Sequence, residues 1–487
     1  MKLTLANLSN LPAAVRKPSY ARDDLSAGIV HIGLGNFHRA HQAWYLHRLM
    51  DQGLDHDWAI VGAGVRAADA AQRDKMLAQD CLTTLIELDP SGKSAEVIGS
   101  MTDFVAVAAD NHPLIAQMAD PAIRIVALTV TEGGYYQTAA GAFDTDHADI
   151  QHDAAHPDAP RTAFGAIIAA LRQRRASNAG PFTCQSCDNL QGNGDILRDA
   201  ILGLAAMSDP DLGAWISAHV TFPNSMVDCI VPATGPKEIA LVRELGIADE
   251  VPVTHENFRQ WVIEDKFCAG RPAWEHVGAT MTDDVHAFEA MKLRLLNASH
   301  QIIATPGELL SIETIAETMA HPLIAGLFRK IAVDEIAPHV ATVPGMTQLA
   351  YIDLVERRFA NAEIFDTTRR VAFDGTSRHQ GFLHPILRDA LAADTPIEGL
   401  ALVEALWARM CAGTRENSEV IAPNDPYWDQ LLIKAAAAKT DPSAWLAQDQ
   451  FYGDLGQNPR FATSFARWLA LIWDQGTNAA LKAYLDS

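Results

Sequence analysis

Residues 29–53 read IVHIGLGNFHRAHQAWYLHRLMDQG. The first five form a short apolar run after the turn-like Ser26, Ala27 and Gly28, which predicts a buried strand. Beyond it Phe37, Ala40, Trp44, Leu46 and Leu49 recur at helical spacing until Gly53, and a second apolar run follows at 58–62. Strand, glycine turn, helix and strand compose a βαβ unit, whose right-handed crossover requires a parallel sheet. Apolar, β-rich runs at 82–88, 123–130, 182–186 and 219–222 continue the pattern, with helical segments at 162–175 and 194–207. Residues 1–280 therefore read as an α/β domain built on a doubly wound parallel sheet of the Rossmann, dinucleotide-binding type.

Past Thr282 the texture changes. Long helical patterns occupy 285–304, 312–319, 323–336, 349–360, 399–412 and 461–473, and strand candidates nearly vanish. Residues 281–487 are expected to form a second, mainly α-helical domain carrying substrate-binding and catalytic groups. The length agrees, because 487 residues exceed what one hydrophobic core usually organises.

Composition narrows the partners. Asp and Glu outnumber Lys and Arg by 60 to 38, and the resulting charge of -22 repels nucleic-acid backbones and anionic lipid. The polar opening MKLTLANLSN carries no targeting pattern, and no later stretch approaches the roughly 18 apolar residues of a membrane span. A cytoplasmic protein with neither nucleic-acid nor membrane partners is expected. Six scattered cysteines are expected to be reduced. Cys184 and Cys187 form a CxxC without the second half of a zinc site, so no metal is expected.

Gly33-Leu34-Gly35 stands where the first strand hands over to the helix. A side chain at Gly35 would obstruct the approach of a pyrophosphate, and the helix N-terminus offers unpaired N–H groups to its charge. The third glycine of G-x-G-x-x-G is His38 here, and a lone GxG also serves purely steric turns. Residues 61–66, VGAGVR, lack the usual acid at the end of the second strand, and Asp69 lies slightly beyond. Asp69 on a ribose hydroxyl would favour NAD, whereas Arg66 on the extra phosphate would favour NADP.

Residues 289–300, EAMKLRLLNASH, form a leucine-rich helical pattern with polar interruptions. At about 100° per residue, Glu289 and His300 fall within roughly 80° of Lys292, and Asn297 roughly 140° away. A solvated stripe with i,i+3 pairing is the plain reading. The functional one is that lysine acts as a base in a closing cleft, asparagine donates to a developing alkoxide and histidine positions a hydroxyl.

Together with LTVTEGGYY from Leu128, SCDNLQGNG from Ser186, TFPNSMVD from Thr221, FRQWVIEDKFCAGRPAW from Phe258 and MKLRLLNASH from Met291, these stretches resemble the mannitol dehydrogenase family of polyol-specific long-chain dehydrogenases. The likeness spans nearly the whole chain. It implies metal-independent, NAD-dependent interconversion of a polyol such as D-mannitol and its ketose, with NADP as the alternative cofactor. Lys292 would be the general base, Asn189 and Asn297 an oxyanion hole, His300 a further catalytic residue, and Glu289 the path of the proton to and from the lysine. Asp228, Arg370 and Arg378 would meet substrate, and Gly33, Gly35, Phe37, Asp69, Thr131 and Glu132 the cofactor. The resemblance also implies a monomer. Departures fall around the substrate: Cys229 stands where arginine is common, Asn257 where proline is common, and Arg378-His379-Gln380 replaces a lysine- and proline-containing pattern. A hexuronate reductase is the alternative within the family. From another class, a non-catalytic dinucleotide-binding sensor would keep the glycine turn without needing Lys292, Asn189 and Asn297 together.

Overall fold

Five strands make the central parallel sheet: β1 (Ala27–Ile32), β2 (Ala59–Ala63), β3 (Met101–Phe104), β4 (Ile125–Leu128) and β5 (Thr183–Ser186). Their spatial order is β3-β2-β1-β4-β5, all neighbours parallel, which is the first five strands of the Rossmann arrangement. Alternate side chains feed opposite layers. Val30, Ile32, Val126 and Leu128 enter the core shared with helices Ala163–Ser177 and Asn193–Ser208. Ile29, Ile125 and Ala127 face the other way, onto Tyr45, Leu46 and Leu49. This two-sided burial explains why the strands read as continuous apolar runs.

The computed structural model describes residues 1–138 and 141–487. The chain divides into two units, Met1–His286 and Ala287–Ser487. Two expectations about the first unit are corrected. The 82–88 run forms Thr83–Asp89, which pairs antiparallel with Gly92–Ile98 and lies in a separate four-stranded mixed sheet. The turn through Asp89, Pro90, Ser91 and Gly92 closes that hairpin locally, so no crossover forms. No strand forms at 219–222. Pro223 lacks a ladder donor; the Thr221 carbonyl accepts the Cys184 N–H at 3.0 Å and its hydroxyl meets that of Thr183 at 3.0 Å, but no ladder continues from there among the described residues. The strand follows at Ser225–Asp228, antiparallel to Gln260–Glu264 in a third small sheet.

The helix after β1 is also broken. It runs as α1 (Asn36–Ala40) and α2 (Gln42–Asp51), separated by His41 at φ −121°, ψ −95°. A third helix, α3 (Asp69–Leu77), follows β2.

The second unit is helical, and among its described residues extended pairing is limited to isolated bridges. Its central helix, Glu398–Met410, is buried from Gly399 to Met410 and packs along Pro459–Gln475. Three stretches widen to π-helix: Lys292–Asn297, Ala332–Ile336 and His379–Leu383. Among the described residues no helix is long and apolar enough to cross a membrane.

Candidate active site

In the first unit, the carboxyl ends of β1, β2 and β4 open onto a cleft of about 280 Å³. Its lining includes Gly33, Gly35, Arg66, Asp69, Thr129 and Thr131. Gly33 has φ +93°, and a Cβ there would lie 2.1 Å from the Thr129 carbonyl oxygen, so only glycine fits. At Gly35 a Cβ would meet nothing within 4 Å, which leaves the space in front of the turn open for a phosphate. These two glycines do different work: one allows the turn, the other clears the approach. The residues present fit a dinucleotide.

The missing third glycine has a physical substitute. His38 is buried with its ring 3.4 Å from that of His31 and inclined by 22°, so two flat rings achieve the close helix–strand approach. Asp69 reaches the cleft despite its late position because it begins α3 and folds back on β2. Its Oδ2 accepts the Arg66 backbone N–H at 3.0 Å, in the space that Gly64 leaves by lacking a side chain. Phe37 and Glu132 do not line the cleft. Phe37 stacks on His41 at 4.7 Å, and Glu132 is exposed at the start of a 3₁₀ turn.

Asn189 is exposed just beyond β5, and the residue before it organises the surroundings. The buried Asp188 carboxylate accepts the N–H groups of Val130 (3.0 Å) and Thr131 (2.9 Å) and the Tyr135 hydroxyl (2.7 Å). Thr131 sits at φ +66°, a conformation those bonds help to hold. Burial raises the Asp188 pKa, against the lowering effect of its three donors. Asp188 was not singled out from the sequence, although its place inside SCDN was the available signal. Asp228 is buried at the end of its strand, opposite Gln260.

In the second unit, Glu289 lies on α4 (His286–Met291), the π turn runs from Lys292 to Asn297, and His300 lies on α5 (Ala298–Leu309). The widened turn is marked by the Ala298 N–H bonding to the Leu293 carbonyl, five residues back. This corrects the geometry expected of an ideal α-helix. Where the ladder runs i→i+5, residues five apart come round toward one face, so Asn297 moves toward Lys292 instead of standing well away. Glu289 and Lys292 are buried, at 4% and 7% exposure, which removes them from a solvated stripe.

His300 stacks on Phe359 at 4.3 Å, and its Nε2 has no hydrogen-bond partner among the described residues. Burial pushes its pKa down to about 3; Arg370, Arg358 and Arg378 push the same way, and Asp366 opposes them. The imidazole is therefore neutral near pH 7 and can donate or accept one hydrogen bond to a hydroxyl. Arg370 is gripped by Asp366, with Nε to Oδ1 and Nη2 to Oδ2 both at 2.6 Å, while Arg378 donates to the Val371 carbonyl at 2.9 Å. The second unit thus brings His300, Arg370 and Arg378 together. Asp366 and Arg358 were missed in the sequence, although Asp366 and Arg370 have the i,i+4 spacing of an ion pair.

Two family models match in order: the mannitol dehydrogenase Rossmann domain over residues 27–276 and the mannitol dehydrogenase C-terminal domain over residues 284–473. Mannitol 2-dehydrogenase of Cereibacter sphaeroides is 55% identical over 472 residues, covering 97% of this chain and 99% of that one. Pseudomonas fluorescens mannitol 2-dehydrogenase, solved as a ternary complex with NAD and D-mannitol, has a TM-score of 0.86 and 41% identity, covering 100% of both chains. Substrate-free D-sorbitol dehydrogenase has a TM-score of 0.93 and 34% identity, covering 99% of this chain and 100% of that one. With both domain models satisfied and such relatives matched end to end, the chain belongs to the mannitol dehydrogenase family.

Proposed function

We propose that this chain catalyses NAD-dependent interconversion of D-mannitol, or a similar polyol, and its ketose. It is an oxidoreductase acting on a secondary alcohol, as its family and relatives indicate. The observation that supports the assignment of residues is the π turn from Lys292 to Asn297, whose wider winding turns positions five apart toward one face. Bound NAD supplies the hydride acceptor.

An alcohol carbon releases hydride readily only as its hydroxyl proton departs, so a base must take that proton. Lys292 is that base, and Glu289, buried three residues earlier, passes the proton onward. Asn297 donates an amide N–H to the oxygen as negative charge develops, and Asn189 has the same role. His300, neutral and with no partner for its Nε2 among the described residues, binds a substrate hydroxyl instead of competing as base. Arg370 and Arg378 donate to further hydroxyls, and Asp228 accepts from one. In the cleft Gly33, Gly35 and Thr131 receive the dinucleotide with Asp69 on its ribose, which selects NAD over NADP.

The test is absorbance at the reduced-nicotinamide band with D-mannitol, D-sorbitol, the corresponding ketoses and hexuronates. Turnover of mannitol with NAD is expected. Hexuronates belong in the panel because three guanidinium groups and a single carboxylate bear on His300, an arrangement that also suits an anionic substrate. Preference for a hexuronate would replace the polyol reading, and cofactor binding without turnover of any substrate would favour a sensor.

A further inference from the structure

Behind the Gly33 turn, four side chains of the first unit touch in series. The carboxamides of Gln185 and Gln42 approach to 3.2 Å, and Gln42 lies 2.7 Å from Nδ1 of His31. Nε2 of His31 is 2.8 Å from Thr129 Oγ1, which is 2.9 Å from the carbonyl oxygen of Gly33. His31, Gln42 and Gln185 are fully buried, so their polar groups call for partners, the N–H donors most of all. His31 is also the only polar residue in β1, an apolar strand where such a side chain requires a reason.

Counting protons sets the direction of each bond. The Gly33 carbonyl can only accept, so the single hydroxyl proton of Thr129 points to it. His31 must then donate from Nε2 to Thr129 Oγ1. Burial holds this imidazole neutral by pushing its pKa to about 3, so Nδ1 carries no proton and accepts from Gln42. That places the Gln42 NH₂ on His31 and its oxygen toward Gln185, which must offer its own NH₂. The oxygen and nitrogen of a carboxamide exchange by a half-turn, and the bonding inventory decides between them. Gln185 Nε2 has no partner among the described residues; the half-turn gives that NH₂ the Gln42 oxygen as acceptor and puts the Gln185 oxygen in the open position, where an unmet carbonyl is better tolerated than an unmet N–H. The reverse direction would leave that NH₂ unmet and would remove the Thr129 proton from Gly33.

We propose that Gln185, Gln42, His31 and Thr129 form one directed line of hydrogen bonds that holds the Gly33 carbonyl, and hence the Gly33-Leu34-Gly35 turn, in its dinucleotide-binding shape. His31 is a positioning residue in its Nε2–H tautomer. The line works on a turn already confined from both sides: the Gly33 N–H bonds to the Ala63 carbonyl at 2.9 Å, and the Thr129 N–H to the Ile32 carbonyl at 2.9 Å. The proposal rests on the reading of this turn as the NAD site.

The tautomer is read in the full-length protein labelled with ¹⁵N-histidine, the His31 resonances being those displaced in Gln42→Met. A proton on Nε2 and an accepting Nδ1 are expected, and a proton on Nδ1 overturns the proposal. NAD titration by tryptophan fluorescence gives the second readout. Thr129→Val, which keeps shape but loses the hydroxyl, should weaken NAD binding about tenfold, the scale of one unmet buried group. Thr129→Ser should restore binding to within about twofold, and Gln42→Met should raise KM for NAD several-fold with little change in kcat. Equal NAD affinity in all of these variants also overturns the proposal. Failure of the wild type to bind NAD at all would instead refute the cofactor reading. The tautomer is measured in the wild type, and the His31 resonances can also be assigned by their loss in His31→Gln, so a binding variant that folds poorly leaves the proposal open to refutation.

Discussion

The candidate residues of the two units reach precision by opposite means. In the first unit the dinucleotide turn is shaped by backbone: Gly33 at positive φ, open space at Gly35, and carboxylates that grip N–H groups, Asp69 on Arg66 and Asp188 on Val130 and Thr131. In the second, the proposed chemistry falls to side chains on a helix, and that helix widens to a π turn between Lys292 and Asn297. A cofactor shared by many enzymes is met by backbone and glycine, which any suitable turn can offer. A reaction on one alcohol carbon would need particular side chains at particular places, and the amine and amide proposed for it stand at the two ends of the widened turn.

The sharpest way to break this contrast is Lys292→Ala. It should lower kcat by about 100-fold or more, the scale of a lost general base, while NAD affinity stays nearly constant. Near-normal stopped-flow turnover would make the lysine structural. Next in size, Asp69→Ala should raise KM for NAD about tenfold and that for NADP much less, because only NAD loses a charge-assisted ribose contact. Equal changes in both constants would remove Asp69 from cofactor choice. Asp366→Asn tests the side-chain half more gently. It replaces a bidentate grip on the partly exposed Arg370 and should raise KM for mannitol about threefold, with NAD unaffected. An unchanged KM for mannitol would make the pair a surface feature.

The smallest effect at neutral pH concerns His300. Its folded pKa of about 3 lies below the ordinary value near 6.5, so the unfolded chain binds the extra proton first as pH falls. The stability associated with neutral His300 is present above about pH 6.5 and is lost as pH falls toward 3. His300→Asn should flatten that part of the stability profile, measured by denaturant melts, and leave the alkaline limb of kcat in place. A shift of the alkaline limb would make His300 the base.

What could be read without coordinates was whatever depends on near neighbours in the chain. The 29–62 pattern identified β1, the glycine turn and β2 because strand periodicity and turn chemistry are local, and the long helices of the second unit were legible for the same reason. Motifs nominated Gly33, Gly35, Asp69 and Thr131, which line one cleft, and His300, Arg370 and Arg378, which influence one another electrostatically. Pairing was harder. The 82–88 run has the composition of a core strand, yet its partners Gly92–Ile98 and Val253–Glu256 put it in another sheet, because apolar content does not specify which edge a strand will join.

Only the tertiary structure decided the rest. A sequence read at 100° per residue cannot anticipate that the turn from Lys292 to Asn297 widens, since the same leucines fit either winding and packing around them chooses. Nor could it supply the neutrality of His300, which depends on burial and on arginines 58, 70 and 78 positions away. His31 read as one letter in an apolar strand. Its partners at 42 and 129 meet it only when helix and sheet pack, because hydrogen bonds act over about 3 Å of space whatever the distance along the chain.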